Sequence, residues 1–170
     1  MSSDQSPHTG PGKPLTVVVS GLSSDAHTWN LVYLQLVLEE LGHTVTNLGA
    51  CLPEQELAAR CRTIQPDLIV LSSVNGHGYQ DGLRAIAALR ECPELMTTPT
   101  VIGGKLDTVG GDPTMGGQLL DAGFDAVFSE HSTGADAVSA FCSFVAFVAD
   151  ASTEADAGQG PATVTSPVGA

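Results

Sequence analysis

The chain has 170 residues, 42% of them hydrophobic and 15% charged, which is enough for one domain with an aliphatic core. Its 19 acidic side chains outnumber the 6 Lys and Arg, so the formal net charge is −13. This balance argues against a nucleic-acid or anionic-membrane partner, because both surfaces attract clustered basic residues.

The two ends of the chain differ in composition from its middle. Residues 1–13 are polar and residues 151–170 contain no aromatic side chain, so we expect a disordered leader and a flexible tail around a folded domain at 14–150. The leader has no signal-peptide pattern, and no apolar run approaches the ~20 residues of a membrane span. The 4 cysteines are too dispersed for a zinc motif and too few for a disulfide scaffold. We therefore expect a reduced cytoplasmic protein with buried thiols.

Within the domain, continuous apolar runs alternate with segments of helical spacing. The predicted strands are Leu15–Ser20, Thr44–Leu48, Asp67–Ser72, Thr100–Ile102 and Ala126–Phe128. The predicted helices are Thr28–Leu41, Pro53–Ile64, 80–91, Thr114–Ala122 and Gly134–Ala149. This alternation predicts an α/β fold of the flavodoxin-like (Rossmann-like) type, a doubly wound five-stranded parallel sheet with strand order 2-1-3-4-5.

Small, polar and imidazole residues follow the predicted strands. They occupy Gly21–Asn30 after the first strand, Ser72–Gly78 after the third, Gly103–Asp107 after the fourth and Ser129–Thr133 after the fifth. Because ligands of such folds bind outside the carboxyl ends of the strands, these segments predict a concave polar mouth.

The pair Asp25 and His27 is the sharpest feature of this mouth. A carboxylate two residues from an imidazole can hold one ring nitrogen and leave the other lone pair for a metal. The alternative is a helix cap at Asp25 or Thr28 beside a solvated histidine.

Two further pairs have both structural and functional interpretations. Gly103 and Gly104 give either a tight exit from a strand or room for a planar or phosphorylated ligand near the backbone. Ser72 and Ser73 either bond to the backbone or bind a heterocycle between the sheet and a helix.

Taken in this order, Ser24–His27, Ser72–Gly78 and Ile102–Gly104 resemble the cobalamin (B12)-binding domain family, whose motifs are Asp-x-His-x-x-Gly, Ser-x-Leu and Gly-Gly. Within that family the resemblance is to the small (sigma) subunits of glutamate mutase, also called methylaspartate mutase, and it covers about residues 15–148. The sequence departs from the motifs at Asn30, where the family has glycine, and at Val74, where it has leucine. Since Asn tolerates left-handed backbone angles, we expect Asn30 to serve the same turn.

The resemblance implies that His27 is the lower axial ligand to the cobalt of adenosylcobalamin, in place of the dimethylbenzimidazole tail. Asp25 would bond the far imidazole nitrogen, and Ser72 would meet the base of the inserted tail. Gly103 and Gly104 would make room for that tail. The implied cofactor-binding set is Ser24, Asp25, Ala26, His27, Thr28, Ser72, Ser73, Val74, Gly103, Gly104, Lys105, Leu106, Asp107, Ser132 and Thr133. His27 is the implied metal ligand, and no residue of this chain is implied to be catalytic.

The same resemblance implies an isomerase subunit that is inactive alone. A separate large subunit would hold the substrate in a heterotetramer-like assembly, and L-glutamate and threo-3-methylaspartate would be interconverted by a radical mechanism. The alternatives are a corrinoid methyl carrier, a flavodoxin-like or response-regulator-like binding module, and a relative that binds no corrinoid. A methyl carrier usually has an added helical cap, and a phospho-acceptor switch needs Asp where this chain has Ser72 and Ser73.

Overall fold

The computed structural model describes residues 12–108, 112–129 and 137–158. In these residues the strands are β1 Thr16–Gly21, β2 Thr44–Asn47, β3 Leu68–Ser73, β4 Thr100–Gly104 and β5 Ala126–Ser129. The α-helices are α1 Trp29–Glu40, α2 Glu54–Ile64, α3 Gly78–Arg90, α4 Thr114–Ala122 and α5 Ala137–Ala157, with a 3-10 turn at Pro93–Leu95. All strand pairs are parallel and the order is β2-β1-β3-β4-β5, which confirms the predicted fold.

The apolar runs form the central strands because helices cover both faces of the sheet. Successive side chains of β1 point to opposite faces, so Val18 packs toward α2, α3 and α4, whereas Val17 and Val19 pack toward α1 and α5. The edge strands β2 and β5 are shorter and only partly buried.

Helix α5 is longer than the sequence predicts. It continues to Ala157, and the backbone N–H of Lys13 donates to Thr153 Oγ1 at 3.0 Å near its end. The expectation of a flexible tail is therefore wrong for residues 151–157, where alanine and glutamate favour helix and the chain ahead of β1 packs alongside. Residues 1–11 and 159–170 lie outside the described residues.

By length and composition alone, α5 could cross a membrane, contrary to the expectation from apolar runs. Its buried residues Phe141, Val145 and Val148 pack on the sheet, and a helix that covers a sheet meets the same two criteria.

The thiols differ from one another in their surroundings. Burial, with a smaller contribution from Cys92, raises the pKa of Cys61 to about 12, as befits a core thiol. Cys51 is exposed, so the expectation of buried thiols is wrong at that position, which lies in the loop after β2.

The strand register places the carboxyl-end residues in a fixed order. Ser72 lies between Gly21 of β1 and Gly103 of β4, and Ser73 lies beside Gly104. Gly104 has φ +99°, and a Cβ there would collide with the carbonyl oxygen of Ser73. Glycine is therefore required where β4 turns away from β3.

Replacing Gly104 by Ala is expected to lower the free energy of unfolding by at least about 1–2 kcal/mol, because the backbone angle and the Ser73 carbonyl both oppose a side chain. Gly117→Ala in α4 is the matched control, since a Cβ there meets nothing within 4 Å, and it should raise stability by up to about 1 kcal/mol. Urea unfolding followed by circular dichroism measures both. Equal stabilities of the two variants would contradict this account of β4.

Candidate functional site

The carboxylate of Asp25 lies at the centre of the carboxyl edge and is only 1% exposed. It accepts four hydrogen bonds, from the His27 backbone N–H at 3.0 Å, His27 Nδ1 at 2.7 Å, Ser73 Oγ at 3.0 Å and the Val74 backbone N–H at 2.6 Å. The loop after β1 is therefore fastened to the end of β3 through one side chain.

These bonds also decide the charge state of Asp25. Burial by itself raises the pKa of this carboxyl, but the backbone N–H groups of His27 and Val74, with the His27 ring and the Ser73 hydroxyl, outweigh it and hold the pKa below its ordinary value.

The ionised carboxylate in turn orients the imidazole of His27. Because an ionised carboxylate only accepts, the ring nitrogen facing it, Nδ1, must carry the hydrogen. In the neutral imidazole Nε2 then has the free lone pair, on a side chain that is 51% exposed. The contact that the Asp-x-His spacing predicts is thus present, with the second nitrogen available to a ligand.

A second polar network holds the same loop from the side of α3. Asp81, itself buried, accepts bonds from the backbone N–H of Ser24 at 3.2 Å and from its hydroxyl. Arg84 bridges Asp81 to Glu54, and Glu54 accepts from the Ser23 hydroxyl at 3.0 Å. Sequence reasoning missed this network because Ser24 and Asp81 are 57 residues apart and no local pattern links them.

A groove with a cavity volume of about 320 Å³ lies on the other face of the sheet, between α1 and α5. Its floor is formed by side chains and backbone of β3 and β4, its two sides by α1 and α5, and most of its lining is apolar. The residues at its polar end are Asn30, Ser72, Gly103 and Gly104.

Asn30 and Ser72 meet at this polar end. Asn30 Nδ2 donates to Ser72 Oγ at 2.8 Å, a contact that the sequence did not reveal. Asn30 lies in the first turn of α1, and the only non-glycine residues with positive φ in the described chain are Cys51 and Gln65. The expectation that Asn30 serves a left-handed turn is therefore wrong, because the helix has already begun at Trp29.

The other predicted site residues fall into three groups. Ser24, Ala26 and Thr28 are exposed on the loop around His27, and Lys105 is exposed beyond β4. Leu106 is buried in the core beneath α3, away from the groove, and Asp107 is partly buried. Ser132 and Thr133 lie outside the described residues. Within the described part of the chain, no group of three or more His, Cys, Asp or Glu side chains is placed to hold a metal ion.

The family model for the B12 binding domain matches residues 15–139. A glutamate mutase sigma subunit from Halobacterium salinarum is 36% identical over 126 residues, which are 72% of this chain and 81% of that protein.

Solved structures extend the comparison at the level of the fold. A cobalamin-binding protein from Desulfitobacterium hafniense is similar with a TM-score of 0.61 and 20% identity, over 78% of this chain and 59% of that one. A signal receiver domain of a histidine kinase from Syntrophus aciditrophicus has a TM-score of 0.58 and 17% identity, over 91% of this chain and 99% of that one. At these identities the likeness shows the fold alone.

Replacing Asp25 by Asn is expected to lower the free energy of unfolding by about 1–3 kcal/mol at pH 7, because buried donors lose a charged acceptor. The folded-state pKa of Asp25 is lowered, so its contribution is present above the unfolded value of about 3.9 and is lost as pH falls through the folded pKa. The stability difference between wild type and variant should therefore shrink on acidification.

Urea unfolding from about pH 7 down to about pH 3 measures this difference. Asp121→Asn, an exposed acid on α4, is the control and should follow the wild-type profile. A difference between Asp25→Asn and wild type that is constant over this range would contradict the role given to the carboxylate.

Proposed function

The chain belongs to the B12 binding domain family, and we propose that it is the cobalamin-carrying small subunit of an adenosylcobalamin-dependent carbon-skeleton mutase. The proposed reaction interconverts L-glutamate and threo-3-methylaspartate by a radical mechanism, with a separate large subunit that holds the substrate. The 36% identity to a protein named as a glutamate mutase sigma subunit supports this choice among corrinoid proteins. The proposed setting is cytoplasmic.

The observation that carries the proposal is the Asp25–His27 pair. His27 Nε2 would bind the cobalt, since Asp25 engages Nδ1 at 2.7 Å and the His27 side chain is half-exposed. A carboxylate on the far nitrogen also raises the basicity of the ligating one. Because the corrin ring would supply most of the cobalt ligands itself, His27 would suffice as the protein ligand.

The groove between α1 and α5 would hold the nucleotide tail of the cofactor. Its apolar lining suits a flat aromatic base, and Gly103 adds no side chain to it. A Cβ at Gly103 would come within 2.9 Å of the Phe128 carbonyl oxygen, so the close approach of β5 also favours glycine there. Ser72 faces this groove, whereas Ser73 is bonded to Asp25. Beyond His27 and Ser72, the proposed contact set keeps the remaining loop residues named from the resemblance, including Ser132 and Thr133.

When bound, adenosylcobalamin supplies the radical chemistry that a carbon-skeleton rearrangement requires. The residues of this chain bind and orient the cofactor: Asp25 holds the His27 ring, Ser73 and the Val74 N–H hold Asp25, and the groove shields the tail from water. We assign no substrate acid or base to this chain, and we place substrate recognition on the large subunit.

The fold alone does not favour this function over a phospho-acceptor switch, since a receiver domain is nearly as similar in structure. The end of β3 favours corrinoid binding. A receiver needs an aspartate there, and this chain has Ser72 and Ser73, one facing the groove and the other bonded to Asp25.

Replacing His27 by Ala is expected to remove the protein ligand from cobalt and to weaken corrinoid binding at least tenfold, roughly the scale of losses seen at metal sites. The paramagnetic resonance spectrum of cob(II)alamin bound to ¹⁵N-histidine-labelled protein reports the ligand directly. Wild type, with a candidate large subunit present, should show coupling to a labelled nitrogen, and His27→Ala should not.

The matched control is His77→Ala, which removes an exposed histidine at the start of α3 on the same edge of the sheet. It should keep the wild-type spectrum. Failure of wild type to retain any corrinoid, alone or with the large subunit, would overturn the proposed function. Retention with the dimethylbenzimidazole still on cobalt would overturn the assignment of His27.

A further inference from the structure

Ser24, the residue just ahead of Asp25, is held from two sides. Its backbone N–H donates to Asp81 Oδ2 at 3.2 Å, and its hydroxyl donates to the same oxygen. Its carbonyl oxygen accepts from Asn75 Nδ2 at 2.9 Å, and that nitrogen also lies 3.1 Å from the Ser24 hydroxyl oxygen. Every polar group of Ser24 therefore bonds to Asp81 or Asn75, although the residue itself is exposed.

The neighbours of Asn75 fix the orientation of its amide. Its Oδ1 accepts from the backbone N–H of His77 at 2.9 Å, and a backbone N–H can only donate. Its Nδ2 faces the carbonyl oxygen of Ser24, which can only accept. Exchange of the amide oxygen and nitrogen would set donor against donor and acceptor against acceptor. Asn75 therefore donates to the loop after β1.

The two oxygens of Asp81 have different partners. Oδ1 accepts from the guanidinium of Arg84, one turn further along α3, whereas Oδ2 accepts both bonds from Ser24. A buried carboxylate needs compensation of its charge, and Arg84, which also bonds to Glu54 of α2, supplies it from within the layer of helices. The first turn of α3 adds the favourable end of the helix dipole. With its charge compensated there, Asp81 directs its second oxygen at the loop.

These contacts give the loop a second attachment next to the first. Asp25 fastens it to the end of β3, and Asp81 with Asn75 fastens the adjacent Ser24 to the start of α3. A segment held at one residue can pivot about it, whereas one held at two neighbouring residues from different directions cannot. The second attachment therefore fixes the direction in which the His27 ring leaves the edge of the sheet.

We propose that Asp81 is a positioning residue for His27 and that Asn75 assists it, so that Nε2 is presented to cobalt in one orientation. The inference rests on the proposed function, because it requires His27 to be the cobalt ligand. Outer groups that orient a metal ligand commonly change metal affinity by about 10–100-fold when they are removed. Here the support acts through the backbone of the loop, in addition to the direct contact of Asp25 with the ring.

The test compares wild type, Asp81→Ala, His27→Ala and the double variant, with cobalamin as the probe and a candidate large subunit present. Asp81→Ala releases the N–H and hydroxyl of Ser24 and leaves Arg84 its bond to Glu54. Equilibrium dialysis should show binding about tenfold weaker than in wild type. In the His27→Ala background the same substitution should change the affinity by less than about twofold, because a residue that acts through the His27 ring has no effect without it.

A spectroscopic signature separates positioning from folding. With ¹⁵N-histidine-labelled protein, the share of bound cob(II)alamin that is coupled to a labelled nitrogen should fall in Asp81→Ala. Asp67→Ala is the matched control, because Asp67 Oδ2 accepts the Thr16 backbone N–H at 2.7 Å at the opposite edge of the sheet. It should lower the free energy of unfolding and keep the wild-type affinity and coupling.

Asn75→Ala provides a second variant that leaves the buried pair of Asp81 and Arg84 intact. It frees the carbonyl oxygen of Ser24 and should weaken binding in the same His27-dependent way, by a smaller factor than Asp81→Ala. Should Asp81→Ala fail to fold, the criteria below apply to Asn75→Ala. Should His27→Ala retain no cobalamin, the share of coupled cob(II)alamin is the criterion.

The outcomes distinguish this inference from the function on which it rests. Wild-type affinity and coupling in Asp81→Ala would overturn the inference and leave the proposed function standing. A loss of affinity that is equal with and without His27 would also overturn it, since it would show a purely structural role. If wild type retains cobalamin with its own base on cobalt, the assignment of His27 and this inference fail together. If wild type retains no corrinoid, the proposed function fails as well.

Discussion

The carboxylate of Asp25 is the constraint on which the rest of the carboxyl edge depends. A buried negative charge is tolerated only when donors surround it, and here they come from two segments, the loop after β1 and the end of β3. The same four bonds keep the carboxyl ionised, fix the tautomer of His27 and fasten the loop. The orientation of the His27 ring and the attachment of the loop after β1 therefore both depend on the Asp25 carboxylate.

Because β3 is pleated, its two adjacent serines have different roles. Successive side chains of a strand point to opposite faces, so Ser72 looks toward α1 and the groove while Ser73 bonds to Asp25. Gly21 and Gly103 on the neighbouring strands carry no side chains beside Ser72. A one-residue shift in register would exchange these roles, and the parallel pairing with β1 and β4 prevents such a shift.

The sequence predicted the strands and helices because apolar runs alternate with segments of helical spacing, and the strand order is the one typical of the fold class that this alternation indicates. It also predicted the contact of Asp25 with His27, which depends on local spacing alone. It did not predict the bond of Asn30 to Ser72 or that of Asp81 to Ser24, because these join segments far apart in the chain. The end of α5 was misjudged for a similar reason, since Lys13 contacts that end from the opposite end of the domain.

The contact of Lys13 with Thr153 and Asp156 brings the two ends of the described fold together at the amino edge of the sheet. From there β1 carries the chain across six residues, about 20 Å, to the loop that holds His27. A second domain tethered at either end would therefore leave the mouth of the groove accessible. If this fold and a partner were joined in one polypeptide, their association would become intramolecular. The effective concentration of one for the other would then be on the order of millimolar, without any change in the residues of the site.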